Sequence, residues 1–270
     1  MINKQAVLFL IVNFLFCQFD WIDNGAPIRQ GQHIEWQRTA GDGVDGEVIF
    51  GWSDTRDSMR DVYVQKIDAS GNSLWGENGI AVTTAYGRQE DPLLVGDDNG
   101  GAFIIWIDYR DEPDTKGDIY AQHVLSDGSL VWSLDGQPIV IKEGAQRNPN
   151  MCKDGEGGAY IIWKDFTLGQ YEHVYATHIS ADNEIINPSQ GIPIMVNDSH
   201  HNGISLEIAG LGEAAMAWVD DRNGNLDIYG QRMLADHEND TITTLWSTVE
   251  EGGTPICNAE GNQNYAKITY

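Results

Sequence analysis

AFIIWID, residues 102–108, carries apolar side chains at every second position and also at the positions between them. Ala102, Ile104 and Trp106 fall on one side of an extended chain, and Phe103, Ile105 and Ile107 on the other. Successive residues of a strand face opposite ways, so this segment reads as a strand buried on both faces. Such a strand needs cover on both sides. Outward from it, Asp91 to Val95 is a short apolar run before it, and Asp118 to Leu125 a third strand after it. Ser126-Asp127-Gly128-Ser129 forms a turn, and a fourth strand runs around Pro138 to Ile141. No ten-residue window gives a convincing amphipathic helix.

The phrase that closes this strand, W-x-D, recurs at Trp52-Ser53-Asp54, Trp106-Ile107-Asp108, Trp163-Lys164-Asp165 and Trp218-Val219-Asp220, with spacings of 54, 57 and 55. A second phrase, [IV]-Y, recurs at Val62-Tyr63, Ile119-Tyr120, Val174-Tyr175 and Ile228-Tyr229. Two residues further on stand Gln65, Gln122, Thr177 and Gln231. A Gly and a Pro-Ile step follow, as in Gly136…Pro138-Ile139, Gly191…Pro193-Ile194 and Gly253…Pro255-Ile256, with Gly79-Ile80-Ala81-Val82 in the first unit. Gly-rich turns such as Asp98-Asn99-Gly100-Gly101 lead into the next Trp strand. Self-similarity at this period signals a repeat architecture.

Four antiparallel strands in about 55 residues, with sandwiched middle strands, predict an all-β fold of propeller blades. A sandwich would leave one face of each strand wet and give clean alternation, which the Trp strands lack. The repeat domain spans 18–270, with complete units at about 34–90, 91–147, 148–202 and 203–263. Trp21 and Gly25 stand four apart, like Trp75 and Gly79, so 18–33 reads as the end of a preceding unit. Gln263 aligns with Gln89 and Gln146, so 264–270 reads as the first strand of a further one. Neither partial unit holds the middle strands. The expectation is an incomplete or open propeller whose remaining blades belong to a longer chain.

Of the 270 residues, 16 are Lys or Arg and 41 Asp or Glu, a formal charge of −25. This surface repels phosphate and excludes nucleic acid and anionic membranes as partners. Residues 1–17 read as a secretory signal peptide, with Lys4 as the basic region and an apolar run from Ala6 to Phe16. That run spans ~16 Å as a helix, short of a ~30 Å hydrocarbon core. Cleavage near Cys17 is expected. The bulky Phe16 argues against a lipidation site. No other segment is apolar enough to span a membrane, so the mature chain is expected to be secreted. Cys152 and Cys257 remain after cleavage. Export permits a disulfide, but they fall at non-equivalent places in the repeat, which favours two small buried hydrophobes.

The hairpin between the second and third strands carries D-x-R…D-[IV]-Y: Asp54/Arg56/Asp61, Asp108/Arg110/Asp118 and Asp220/Arg222/Asp227. In the third unit Thr167 replaces the Arg and His173 the second Asp. Loss of both together suggests an Arg–Asp clamp across the hairpin base, with Arg110 expected on Asp118. The rival reading is calcium at Asp220, Asp221, Asn223, Asn225 and Asp227, hard oxygen ligands without full EF-hand spacing. Asp97-Asp98-Asn99 and Asp111-Glu112-Pro113-Asp114 are weaker candidates of the same kind. Trp21, Trp75 and Trp132 are candidate stacking platforms for a ligand, set against packing within the fold. Seven scattered His and the absence of H-E-x-x-H, G-x-S-x-G, C-x-x-C and P-loop patterns give no catalytic residue and no cofactor beyond calcium.

DIYAQHVLSDGSLVW (118–132) and DGEGGAYIIWKD (154–165) resemble the blade repeats of large secreted bacterial β-propeller-like proteins. Such proteins often carry a type IX secretion sorting domain or another surface anchor. The resemblance covers about residues 18–270. It is specific for architecture and says little about activity. The fold and the lack of catalytic motifs lead to the expectation of an exported, non-catalytic binding or scaffolding module at the cell surface or outside the cell, with a protein or carbohydrate ligand. The D-G-x-x-x-W stretch Asp127-Gly128…Trp132 also resembles quinoprotein repeats and, more faintly, the sialidase Asp-box, without the full S-x-D-x-G-x-T-W order. A propeller glycan hydrolase or lyase and a quinoprotein-like dehydrogenase are therefore the alternatives. Acids converging on the axial mouth would favour an enzyme.

Overall fold

The computed structural model describes residue 28 and residues 35–112, 116–167 and 171–269. The expected signal peptide, Trp21 and nearly all of the partial unit at 18–33 lie outside them. No helix occurs among the described residues.

The first sheet holds β1 (Glu35–Asp42), β2 (Val48–Asp54), β3 (Asp61–Ile67) and β4 (Ile80–Thr83). The second holds β5 (Gln89–Gly96), β6 (Ala102–Asp108), β7 (Asp118–Val124) and β8 (Gln137–Val140), and the third β9 (Gln146–Lys153), β10 (Ala159–Asp165), β11 (His173–Ile179) and β12 (Ile192–Met195). In the fourth, β13 (His201–Gly210), β14 (Glu213–Asp220) and β15 (Asp227–Asp236) are followed by β16 (Thr241–Thr244) and β17 (Thr254–Cys257), both paired with β15. All pairings between the strands of a sheet are antiparallel, and each sheet runs in chain order. The chain is thus a series of four-stranded antiparallel sheets, and the fourth carries one extra strand.

Every residue of β3, β6 and β7 is buried, as two-sided apolar strands require. Three apolar clusters fill the spaces between successive sheets. In every sheet the Trp of W-x-D faces the Tyr of [IV]-Y, with ring centroids 6.1–6.3 Å apart and planes within 21–24°. The repeated Gly makes room for this Trp. At Gly136, φ is +73° and a Cβ would lie 2.5 Å from Trp106 Cη2. Gly79, Gly191 and Gly253 face Trp52, Trp163 and Trp218 in the same way. Any larger residue there meets both strain and a ring.

The first strands adjoin in order, β1 on β5, β5 on β9 and β9 on β13. At one end of them, Lys153 Nζ bonds both Asp42 (2.8 Å) and Asp98 (2.9 Å), joining three sheets. Cys152 and Cys257 are both free thiols, and burial pushes the Cys152 thiol up.

Candidate functional site

The charged hairpin shapes the end of the molecule where the first strands begin. Arg110 does not take Asp118 as its partner. It folds back on Asp108, Nε donating to Oδ1 (2.9 Å) and Nη2 to Oδ2 (2.6 Å). Arg56 and Arg222 grip Asp54 and Asp220 in the same way. The reason is that the W-x-D carboxylate is already fixed: it accepts Trp106 Nε1–H at 2.9 Å and the Arg110 backbone amide at 2.9 Å. The guanidinium also lies 3.9 Å over the Tyr120 ring and donates to Asp135 O. Burial alone would push the Asp54 and Asp220 carboxyls up, but the Arg hydrogen bonds outweigh it and hold both below their usual range. The second acids have other tasks. Asp118 accepts the Lys142 amide, and Asp227 accepts from Asn223 and Asn225.

The third unit keeps a cation after all. With Thr167 in the Arg position, Lys142 enters from the segment after β8. Its Nζ stands 4.2 Å from the Tyr175 ring centre and 3.9 Å from Asp165.

The repeated Gln fastens the third strand to the segment that follows. Gln122 Oε1 accepts the amides of His123 and Trp132, and Nε2 donates to Ser133 O. Gln65 and Gln231 repeat this, and Thr177 donates to Ile186 O instead. The residue after the Gln forms a series that the sequence motifs leave out. Lys66 pairs with Glu47, His123 with Asp97, His178 with Asp154, and Arg232 with Glu213. The first three tie the third strand to the turn between the first two, and Arg232 reaches Glu213 at the start of β14. Three of them reach onward to the next unit: Lys66 to Ser126 O, His123 to Asn183 and His178 to His237. A basic residue after each Gln or Thr is the signal that marks this series.

Of the three candidate stacking platforms, Trp21 lies outside the described residues, and Trp75 and Trp132 serve packing within the fold. Trp75 is 3% exposed, with Nε1 donating to Ser126 O of the second unit, and Trp132 packs half-buried against the cluster between the second and third sheets. The following blade covers both. In the loop 220–227, Asp220 turns to Arg222, Asp221 accepts the His200 amide, and Asn223 and Asn225 donate to Asp227. Asp97 is engaged by His123 and by the amides of Asn99 and Gly101. Among the described residues no group of three or more His, Cys, Asp or Glu could hold a metal ion.

A concave surface lies at the start of the first strands. Each of β5, β9 and β13 has a bulge at one place, where two residues oppose the single Trp of the second strand: Asp91-Pro92 opposite Trp106, Asn148-Pro149 opposite Trp163, and Gly203-Ile204 opposite Trp218. Asp91, Asn148 and Gly203 take left-handed φ of 53°, 53° and 58°. Asp and Asn tolerate this conformation better than other side chains, and bulges re-aim residues at functional rims. A cavity of about 420 Å³ opens between β5 and β9, lined by Asp91, Leu93, Tyr109, Arg147, Asn148 and Pro149 among others. A second, of about 340 Å³, adjoins it between β9 and β13 and shares Asn148 and Pro149. Asn150, Lys164 and Asn202 line its wall. Lys164 Nζ bonds Glu172 at 2.9 Å and also the His201 carbonyl. Burial opposes ionisation of Glu172, yet the Lys164 bond and backbone amides take its carboxyl down to about 2. Burial takes the His201 imidazole down to about 4.

No family model and no curated protein sequence matches the chain. Solved structures do. An α-L-arabinanase of Penicillium chrysogenum complexed with arabinobiose matches 86% of this chain and 73% of its own, at 12% identity and a TM-score of 0.51. A Dyadobacter fermentans protein of unknown function matches 81% and 70%, at 13% identity and a TM-score of 0.50. A thermostable family-43 glycoside hydrolase matches 83% and 78%, at 14% identity and a TM-score of 0.45. The fold is a β-propeller. The four described sheets are built as blades of this fold, and the bulges of β5, β9 and β13 lie near the starts of these adjoining strands.

Proposed function

We propose that this propeller is of the glycan-hydrolase type and takes an extracellular sugar chain into the mouth between β5 and β9. The observation that carries the reading is the pair of adjoining cavities built on bulge residues, with Asp91 and Asn148 held in left-handed conformations at their rim. Their combined lining sets one carboxylate, two cations and three amides among aliphatic side chains and Tyr109, a mixture that suits both the hydroxyls and the apolar faces of a sugar. A glycosidase works with two carboxyl groups ~5–9.5 Å apart. Asp91 supplies one in the cavity. Glu90 precedes it on the same strand, held by Arg60 and Arg88. The shared fold with an arabinanase captured with arabinobiose supports a sugar as occupant. The second reading is a non-catalytic glycan-binding module, favoured by the single carboxylate among the cavity-lining residues. A quinoprotein-like cofactor finds no Trp platform there.

Export and further blades belong to the same proposal. The Lys4 and Ala6–Phe16 pattern supports export. Trp246, at the Trp75 position of the fourth unit, is 44% exposed, and a following blade would cover it as the second covers Trp75. Gln263 N donates to Leu226 O, as Gln89 N does to Arg60 O, which supports a further first strand there.

Titration calorimetry and a reducing-end assay with arabinobiose, longer arabino-oligosaccharides and a panel of acidic glycans test the function. Saturable binding with turnover is expected, and Asp91→Asn should lower turnover at least a hundredfold. Binding without turnover in the unaltered chain selects the binding module. No saturable binding to any glycan overturns both readings.

A further inference from the structure

Arg147 stands on the wall of the first cavity, and its surroundings set it apart from the other cations. The chain has 41 acidic residues against 16 basic ones, so a cation seldom lacks a carboxylate nearby. At this end of the molecule Arg56, Arg110 and Arg222 grip aspartates, and four further cations are neutralised at short range: Arg60 and Arg88 at Glu90, Lys142 at Asp165 and Lys164 at Glu172. Arg147 is exposed and forms no ion pair among the described residues, although it lines the same cavity as Asp91. Glu90 occupies the matching place on β5, where two arginines reach it. On β9 the matching place holds the opposite charge and no such compensation.

A guanidinium in a concave site presents a planar fork of donors that matches a carboxylate in bidentate fashion. Next to it, Asn148 and Pro149 continue into the second cavity, where Asn202 offers an amide, the Asn150 amide is already bonded to Ile204 O and the Met151 N–H, and Lys164 is a second, already compensated cation. We infer that the sugar chain taken by this mouth carries carboxylates, as a uronic acid does, and that Arg147 selects them. The inference rests on the glycan reading above and narrows its substrate class. Asp91 fixes the polarity of the complex: it repels a ligand carboxylate, so the acid group lies toward Arg147 and hydroxyls lie toward Asp91.

The test uses the whole chain with digalacturonate, its dimethyl ester, and arabinobiose as the uncharged reference. The ester keeps the sugar and removes the charge. The expected result is at least tenfold tighter binding of the acid than of the ester, with the difference abolished in Arg147→Gln and partly kept in Arg147→Lys. Arg147 is exposed, so a melting temperature close to that of the parent confirms that the Gln variant is folded. Equal affinity for acid and ester, or discrimination that survives in Arg147→Gln, overturns the inference while leaving the glycan reading in place. Absence of binding by all three sugars overturns the inference, and by the wider panel the glycan reading as well.

Discussion

At the scale of single residues, the D-x-R motif is a self-contained grip rather than a bridge across the hairpin. The Asp108 side chain is fully buried and the Arg110 side chain 22% exposed, so removing either partner strands the other. Asp108→Ala should cost about 3 kcal/mol or more. In a double-mutant cycle, Arg110→Ala and Asp108→Ala should be non-additive by ~1–3 kcal/mol, while Arg110→Ala and Asp118→Ala should add, as denaturant unfolding would show. Asp61 gives a pH-dependent case. Burial, with the charges of Asp57, Asp54 and Asp135 beside it, pushes its carboxyl up to about 7. An unfolded Asp titrates near ~3.9. Between those values the folded chain holds a proton that the unfolded chain has released. The stabilisation tied to protonated Asp61 is therefore full below about pH 4 and lost as pH rises to 7. Asp61→Asn should melt higher than the parent at about pH 8 and close to it at about pH 4. A parent-like pH slope in the variant would refute this. The sequence showed which residues belong to the motif. It did not show the pairing, because both acids of the motif lie within reach of a long Arg side chain, and the turn directly after the first Asp, which folds the Arg back onto it, is seen only in the structure.

At the scale of elements, the repeat was legible because four markers keep one register, and the two-sided apolar pattern of β6 is itself the mark of a blade's middle strand. The bulges were not legible. Asp91, Asn148 and Gly203 share no residue type, only a tolerance for left-handed backbone, so the mouth they build leaves no common letter in the sequence. The cation of the third unit was hidden for another reason: comparing like positions between units does not find a residue that comes from the unit before. Lys142 is partly buried over Tyr175. Lys142→Ala should cost about 1 kcal/mol, more than an ordinary surface Lys. Thr167→Arg should restore that loss in the Lys142→Ala background by returning the ordinary cation to its own strand end. Equal effects of Thr167→Arg with and without Lys142, measured by thermal unfolding, would show that the two cations do not share a place.

At the scale of the whole molecule, each of the first three blades is held by the turn of the next. Gly128 lies under Trp75, where a Cβ would come 2.9 Å from the indole at a φ of +87°. Gly128→Ala should therefore loosen the contact between the first and second blades, at a cost of about 2 kcal/mol, with a red shift in Trp emission. An unshifted spectrum and melting temperature would mean that this junction carries little of the stability. Blade order within the chain also has a consequence for anyone who would recombine it. Because the third blade borrows Lys142 from the second, it is not an interchangeable cassette. In a chain with its blades shuffled, the first, second and fourth would travel as complete parts. The third would travel intact only with the end of its upstream neighbour, which makes the junction at 140–145 the wrong place to cut.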